Sequence, residues 1–278
     1  MRRVVLVGLG LIGGSIGLAL RRHDPRLEII GVDTDAVVNS SRCRELLSRG
    51  IAKETVGESP PIAFDADRVV LAVPVCEIVN QVRRWLEARV PVTDCGSTKS
   101  TIVEEADGSS MRAWFLPGHP MAGRERGGLQ SADPDLFKGR SWIVCPEGVR
   151  RESLEVTREL VNQLGALWTE MTPWEHDQAV ALTSHLPQIL ASWLAASASE
   201  SVMKAAGPAF ADMTRIAGGS EAIWKDIFLT NSEALARVLD GVAGDLAAIA
   251  QSLARPEPDL QGVIELLANA RRCSSKPR

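Results

Sequence analysis

Apolar residues in the first part of the chain fall in short, largely β-branched runs separated by longer amphipathic stretches. The runs are residues 4–7 (VVLV), 27–32 (LEIIGV), 68–73 (RVVLAV), 91–93, 113–116, 141–145 (SWIVC) and 167–171 (LWTEM). The clearest of them are continuous rather than alternating, as strands buried on both faces are. Helical periodicity over 15–22, 76–88 and 152–164 fills the gaps between them. Strands alternating with helices predict a doubly wound parallel sheet. After Pro173 the β-branched runs cease. Residues 174–205, 208–216, 220–250 and 258–270 read as helices rich in Ala and Leu, with Leu182, Leu186, Ile189, Leu190 and Trp193 forming an apolar stripe on the first. Pro187 inside that stripe predicts a kink or the true helix start. The expected division is therefore an α/β domain over 1–172 and an all-helical domain over 173–278.

The first strand runs directly into Gly8-Leu9-Gly10-Leu11-Ile12-Gly13, and Asp33 closes the second strand 20 residues after the last of these glycines. A glycine triad alone is a weak signal, but strand before, helix after and acid beyond are the context of a Rossmann-type dinucleotide fingerprint. Gly8 permits the tight turn, Gly10 lets the backbone approach a pyrophosphate, and Gly13 lets helix and strand pack closely. The helix opening at Leu11 and Ile12 offers free N–H groups and its positive end to the anion, and Ser15 could add a hydroxyl. A carboxylate at Asp33 suits an adenosine ribose diol and repels a 2′-phosphate, which predicts NAD rather than NADP. The bland alternative is that Asp33 merely caps a turn.

Ligands of such sheets bind outside the carboxyl ends of the strands. Three clusters fall there: Val73-Pro74, Asp94-Cys95-Gly96-Ser97-Thr98-Lys99, and Gly118-His119-Pro120-Met121-Ala122-Gly123. His119, at a strand end, is a candidate base because an imidazole accepts a proton at neutral pH, with a structural turn histidine as the alternative. Lys99 could be a catalytic amine, but a solvated lysine beside a helix start is the favoured reading.

Composition narrows the class. Of 278 residues, 45% are hydrophobic and 24% charged, the balance of a globular protein rather than a disordered chain. The net charge of −4 and the lack of a basic block argue against a nucleic-acid surface. The five cysteines (43, 76, 95, 145 and 273) are odd in number, and no two form Cys-x-x-Cys. Neither a disulfide framework nor a metal site is predicted, and a reducing cytoplasm fits. The apolar run Val4–Leu20 imitates a signal peptide. With 17 residues, five of them glycine, it is short for a membrane span, and no small-x-small cleavage site follows it. No membrane association is expected.

The ordered set GLGLIGGS (8–15), GVD (31–33), AVP (72–74), DCGSTKS (94–100), GHPMAGRE (118–125), HD (176–177), SHLP (184–187), DMTRIA (212–217) and W-x-D-I (224–227) resembles the prephenate/arogenate dehydrogenases of tyrosine biosynthesis. The resemblance covers about residues 4–231, and GHPMAG followed by SHLP is far more specific than the glycine triad. It implies NAD-dependent oxidative decarboxylation of prephenate to 4-hydroxyphenylpyruvate, or of arogenate to tyrosine. By the same resemblance His119 meets the C4 hydroxyl as base, and Ser97 hydrogen-bonds that hydroxyl or the nicotinamide side. Arg215 binds a substrate carboxylate, Asp212 orients Arg215, His185 lies near the substrate side chain, and Glu125 stands at the pocket mouth. The cofactor set is Gly8, Gly10, Leu11, Ile12, Gly13, Asp33, Val73 and Pro74.

Bland readings stand beside several of these. His185 could be a core histidine, Arg215 could pair with Asp226 or Asp212, and His176-Asp177 is read as helix-start architecture. Two positions depart from the family pattern. Gln188 stands where a second histidine is common, and Arg124 where a small residue is common; Arg124 could pair with Glu125 or meet a substrate carboxylate. No regulatory module is expected after the helical region, so feedback by tyrosine would act at the active site. Alternatives are a dehydrogenase of 4-amino-4-deoxyprephenate, a β-hydroxyacid-type NAD dehydrogenase, and an NAD-binding sensor. The last two are weakened, respectively, by Lys204 and Lys225 lying outside any lysine motif and by the joint presence of Ser97, His119 and Arg215. The helical part carries more apolar surface than an appendage of its size needs, which predicts a homodimer with a small-molecule substrate and no nucleic acid.

Overall fold

The computed structural model of the chain describes residues 3–33, 37, 66–124 and 127–274. The chain divides into two compact units, one up to Ser232 and one from Glu233 onward.

In the first unit, strands β1 (Arg3–Val7), β2 (Glu28–Val32), β3 (Arg68–Leu71), β4 (Val92–Asp94) and β5 (Phe115–Leu116) form one sheet in the order β2-β1-β3-β4-β5. All pairs are parallel, with Val5 opposite Ile30 on one side and Val69 on the other. Alternate residues of β1 feed two separate cores. Val4 and Leu6 pack with Ile16 and Leu20 of helix α1 (Leu11–His23) and with Leu160 and Val161. Val5 and Val7 pack with Ile78, Val82 and Trp85 of helix α2 (Val75–Leu86), and with Ile102 and Ala106 of helix α3 (Ser100–Asp107). The sheet is thus covered on both faces, as the expected doubly wound architecture requires. Burying each of these large side chains contributes about 1.5–3 kcal/mol.

The parallel sheet ends sooner than the strand pattern suggests. At Pro117 the chain leaves β5 and begins β6 (Gly118–Pro120), which pairs antiparallel with β7 (Ser141–Val144). β7 pairs parallel with β8 (Leu167–Glu170), making a second, three-stranded sheet. The runs at 141–145 and 167–171 are strands as expected, but they belong to this second sheet. His119, expected at the end of the preceding strand, lies within β6, a short strand of its own. Helix α4 (Arg151–Gln163) connects β7 and β8.

The stretch 174–205 is not one helix. Helix α5 (Pro173–Val180) is closed at its start by a Thr172–Glu175 capping box. It runs into a π-helical turn, Ala181–His185, before helix α6 (Leu186–Ala196). The Leu186 N–H bonds back five residues to the Ala181 carbonyl. Pro187 supplies the reason, since it has no N–H to continue a regular ladder. The expected stripe does not face the core throughout: Leu182 and Trp193 are exposed, and the buried positions are Ala181, His185, Leu186, Gln188 and Ala191. Helices α7 (Glu200–Met203), α8 (Pro208–Thr214) and α9 (Glu221–Thr230) complete the unit, with a 3₁₀ turn at Arg215–Gly218. The predicted 220–250 helix is interrupted at Asn231, a buried residue in a non-helical conformation whose side chain donates to the Asp177 carbonyl at 2.9 Å.

The second unit holds helix α10 (Ser232–Leu253), which begins at the end of the first unit, and helix α11 (Gln261–Ser274). Leu246, Leu253, Leu260, Ile264, Leu266 and Leu267 are all exposed on it. Among the described residues no helix is long and apolar enough to cross a membrane.

Candidate active site

A cavity of about 1870 Å³ opens at the carboxyl edge of the parallel sheet. Single small-ligand pockets measure roughly 300–1,000 Å³, so this one has room for a dinucleotide and a substrate together. Gly8, Gly10, Leu11, Ile12, Asp33, Val73 and Pro74 line it, as do Ser97 and Arg215. These residues come from the ends of β1 to β4 and from the helical segment after α8.

The glycine turn fits a pyrophosphate. Gly8 has φ +91°, and a Cβ there would stand 2.5 Å from the Ala72 carbonyl oxygen. A Cβ on Gly13 would stand 1.8 Å from the Gly8 carbonyl oxygen, so Gly13 serves packing beneath the cavity rather than its lining. Gly10 faces open space and is the N-cap of α1, where no side chain caps the helix and no acid sits in the first turn. The helix thus presents unshielded N–H groups and its positive end to the cavity. The Asp33 carboxylate accepts the Leu9 N–H at 2.6 Å, which fixes the second strand end to this turn. Ser15 does not add a hydroxyl to the cradle. It is fully buried and accepts the Asp133 N–H at 2.9 Å.

Lys99 departs from its expected place. It is fully buried rather than solvated, and its Nζ donates to the Asp94 carboxylate and, at 2.7 Å, to the Gly118 carbonyl. Asp94 Oδ1 in turn accepts the Gly118 N–H at 2.9 Å, and Oδ2 accepts the Gly96 N–H at 2.8 Å. Both backbone polar groups of Gly118 are thereby held by one ion pair. A side chain at Gly118 would stand 2.8 Å from the Asp94 carbonyl oxygen and from the Trp142 indole nitrogen. The next residue is His119.

His119 is half-buried on β6 and is not among the residues that line the cavity; its Nδ1 lies 2.8 Å from His176 Nε2. His176 Nδ1 lies 2.8 Å from Asp177 Oδ1. Asp177 Oδ1 also accepts the Lys99 N–H, and Oδ2 the Ser100 N–H, each at 2.8 Å, so this carboxylate caps the start of α3. Helix-start architecture is therefore real for Asp177, but on α3 rather than its own helix. Burial pushes His119 well below the usual imidazole range, with His176, Lys99 and His185 adding to the shift. Burial likewise lowers His176, against the opposing pull of Asp177.

The helical wall of the cavity includes Gln188, Arg215, Ile223 and Trp224. His185 is not part of the lining. It is buried beside Trp224 and Phe228, with Nδ1 3.3 Å from the Asn231 amide nitrogen, and burial lowers its pKa to about 4. Asp212 is exposed and likewise outside the lining, while Glu125 lies outside the described residues. Arg124 lines the cavity mouth and forms an ion pair with Asp133. The sequence reading favoured a solvated Lys99 and a helix-start role for His176; the fold buries both next to β6. The Asp94–Lys99 spacing at a strand end and the neighbouring His-Asp pair were the available signals.

The profile described as prephenate dehydrogenase, nucleotide-binding domain, matches residues 16–170, and that described as prephenate dehydrogenase, dimerization domain, matches residues 172–269. The prephenate dehydrogenase of Lactococcus lactis is 35% identical over 245 residues, which is 84% of this chain and 66% of that one. The chain spans just under two thirds of the length of this relative and of a second curated one (66% and 65%). Among solved structures, prephenate dehydrogenase from A. aeolicus in complex with hydroxyphenyl propionate and NAD+ superposes with a TM-score of 0.81 at 27% identity, covering 99% of this chain and 97% of that one. Synechocystis arogenate dehydrogenase superposes with a TM-score of 0.78 at 27% identity, covering 98% and 99%.

Proposed function

The chain belongs to the prephenate dehydrogenase family, and from that premise we propose that it catalyses the NAD-dependent oxidative decarboxylation of prephenate, of arogenate, or of both. The observation that carries this reading is the shared cavity, in which the glycine cradle and Asp33 meet Ser97 and Arg215. NAD, when bound there, supplies the hydride acceptor for the hydrogen on C4 of the substrate. Gly8, Gly10, Leu11, Ile12, Val73 and Pro74 hold it, with Asp33 toward its ribose.

The chain's own residues do the rest. His119 takes the proton of the C4 hydroxyl as the C4–H bond breaks. The bond from the ring to its carboxylate then breaks, CO₂ leaves, its electron pair aromatises the ring, and the C4 oxygen takes the proton back from His119. Ser97, on the loop after β4, hydrogen-bonds the same hydroxyl and fixes its angle. Arg215 offers a planar guanidinium to a substrate carboxylate, with Asp212 near it in sequence. The Lys99–Asp94 pair sets the position of β6 and hence of the base. His185, buried beside Trp224, shapes the wall from behind. The name of the Synechocystis relative keeps arogenate beside prephenate as substrate.

The domain division at 172 is supported by the two profiles, which meet between 170 and 172. A homodimer is supported by the second profile's description and by the exposed leucines of α10 and α11. Free thiols at Cys76, Cys95 and Cys145 fit a reducing cytoplasm.

The test is NADH formation with prephenate and with arogenate, each with NAD and NADP, beside His119→Asn. Turnover with NAD on one of them is expected, with kcat of the variant lower by roughly 10²–10⁴. NAD binding without turnover of either substrate would overturn the reading in favour of the 4-amino analogue or a sensor.

A further inference from the structure

We propose that His176 and Asp177 are positioning residues that fix the tautomer of His119, so that its Nε2, and not its Nδ1, presents the lone pair to the substrate. The inference rests on the reading of His119 as the base and adds what makes that base competent.

Three donors converge on the two carboxylate oxygens of Asp177 at 2.8 Å each: the Lys99 N–H, the Ser100 N–H and His176 Nδ1. Burial acts to raise this carboxyl, but the hydrogen bonds from His176 and Ser100 outweigh it and hold it below the usual carboxylate range. The carboxylate is therefore an acceptor only, and His176 Nδ1 must carry a hydrogen. A neutral imidazole with Nδ1 protonated has a bare Nε2. That Nε2 lies 2.8 Å from His119 Nδ1, and two bare nitrogens cannot form a hydrogen bond. His119 Nδ1 must then donate, which leaves Nε2 unprotonated in the neutral ring.

The rings have little freedom to escape this assignment. Gly118, next to His119, is held through both its N–H and its carbonyl by Asp94 and Lys99. The two imidazoles meet edge to face, 5.0 Å between centroids and 66° between planes. The titratable groups facing His119 are His176, Lys99 and His185, and those facing His176 are Asp177, Lys99 and Asp94. Lys99 is already committed to Asp94, and His185 is a neutral ring at neutral pH, so only Asp177 dictates a proton position to the pair. When His119 gains the hydroxyl proton at Nε2, its Nδ1–H still points along a chain that ends in a carboxylate, which stabilises the imidazolium.

The test uses the full-length chain with histidine labelled by 15N, whose ring nitrogen shifts report which nitrogen carries hydrogen. There are four histidines, and His119→Asn and His176→Phe assign two of them by subtraction. Expected for His119 at neutral pH is a protonated Nδ1 with a bare Nε2. In His176→Phe the other tautomer should appear, with kcat lower by about 10² or more and with NAD binding close to wild type in the folded protein. In His176→Gln the side-chain oxygen can accept the Nδ1–H, and part of kcat should return. A hydrogen on Nε2 of wild-type His119 would overturn the inference, as would native kcat in a folded His176→Phe or no rescue by a folded His176→Gln. The expected tautomer in a protein that oxidises no cyclohexadienyl acid would instead sink the functional reading and leave the tautomer assignment standing.

Discussion

Two cations are buried at opposite ends of the same parallel sheet, and they are treated differently. At the carboxyl edge Lys99 is fully enclosed, paired with an equally enclosed Asp94 and bonded to the Gly118 carbonyl. At the amino edge Arg68, the first residue of β3, is 2% exposed. Glu159, half in solvent, stands 3.7 Å from it, and among the described residues none of its guanidinium nitrogens has a hydrogen bond. Burial pulls Arg68 down to about 10, with Glu159 and Asp67 resisting. Enclosing charge is costly at both ends. Only at the carboxyl edge is the cost converted into geometry, because the pair grips the residue beside His119. Among the described residues, the polar network is closed beside His119 and left loose at Arg68.

The largest effect expected from breaking this contrast is at Lys99. Lys99→Met leaves Asp94 buried and unpaired, which should cost about 3–5 kcal/mol of stability in denaturant titration. It should also lower kcat, since Gly118 loses one of its two tethers. Acid should come next. His185 is pulled to about 4 against an ordinary 6.5, and His119 and His176 are also lowered. Below pH 6.5 the unfolded chain binds protons that the folded chain refuses. Stability is therefore full above that pH and lost as the pH falls toward 4, with His185 alone accounting for about 3 kcal/mol. Unfolding monitored between those pH values should show the loss, and a flat profile would contradict the burial of these rings. The smallest effect is expected at Arg68. Arg68→Met leaves Glu159, which is already half solvated, and Asp67, which is exposed, so stability should stay within about 1 kcal/mol of wild type or rise. A large loss there would mean that Arg68 serves a structural network as tight as that of Lys99.

What the sequence made legible follows from how local each feature is. The cradle is written in adjacent residues: Gly8, Gly10 and Gly13 act within one turn, and Asp33 reaches them across one strand pairing. His119 was visible as a rare histidine at a strand end. Lys99 was misread because a lysine beside a helix start is ordinarily solvated. Its burial is decided by Asp94 and Gly118, which only the tertiary fold brings to it. The contact of His176 with His119 is equally non-local, since that partner lies 57 residues away on the second sheet. Asn231 gave no periodic signal, yet its amide, satisfied by the Asp177 carbonyl, ends one helix and separates it from the next.

The π-helical turn at Ala181–His185 amounts to a single-residue insertion absorbed without breaking the helix. Each inserted residue rotates everything downstream by about 100°. It resets which side chains of α6 point inward, which is how Gln188 comes to line the cavity while Trp193 ends outside. The face that meets ligand and the face left for other contacts are therefore set by the phase of one turn. A lineage could re-aim this wall by losing or gaining one residue upstream, without altering any residue that touches substrate.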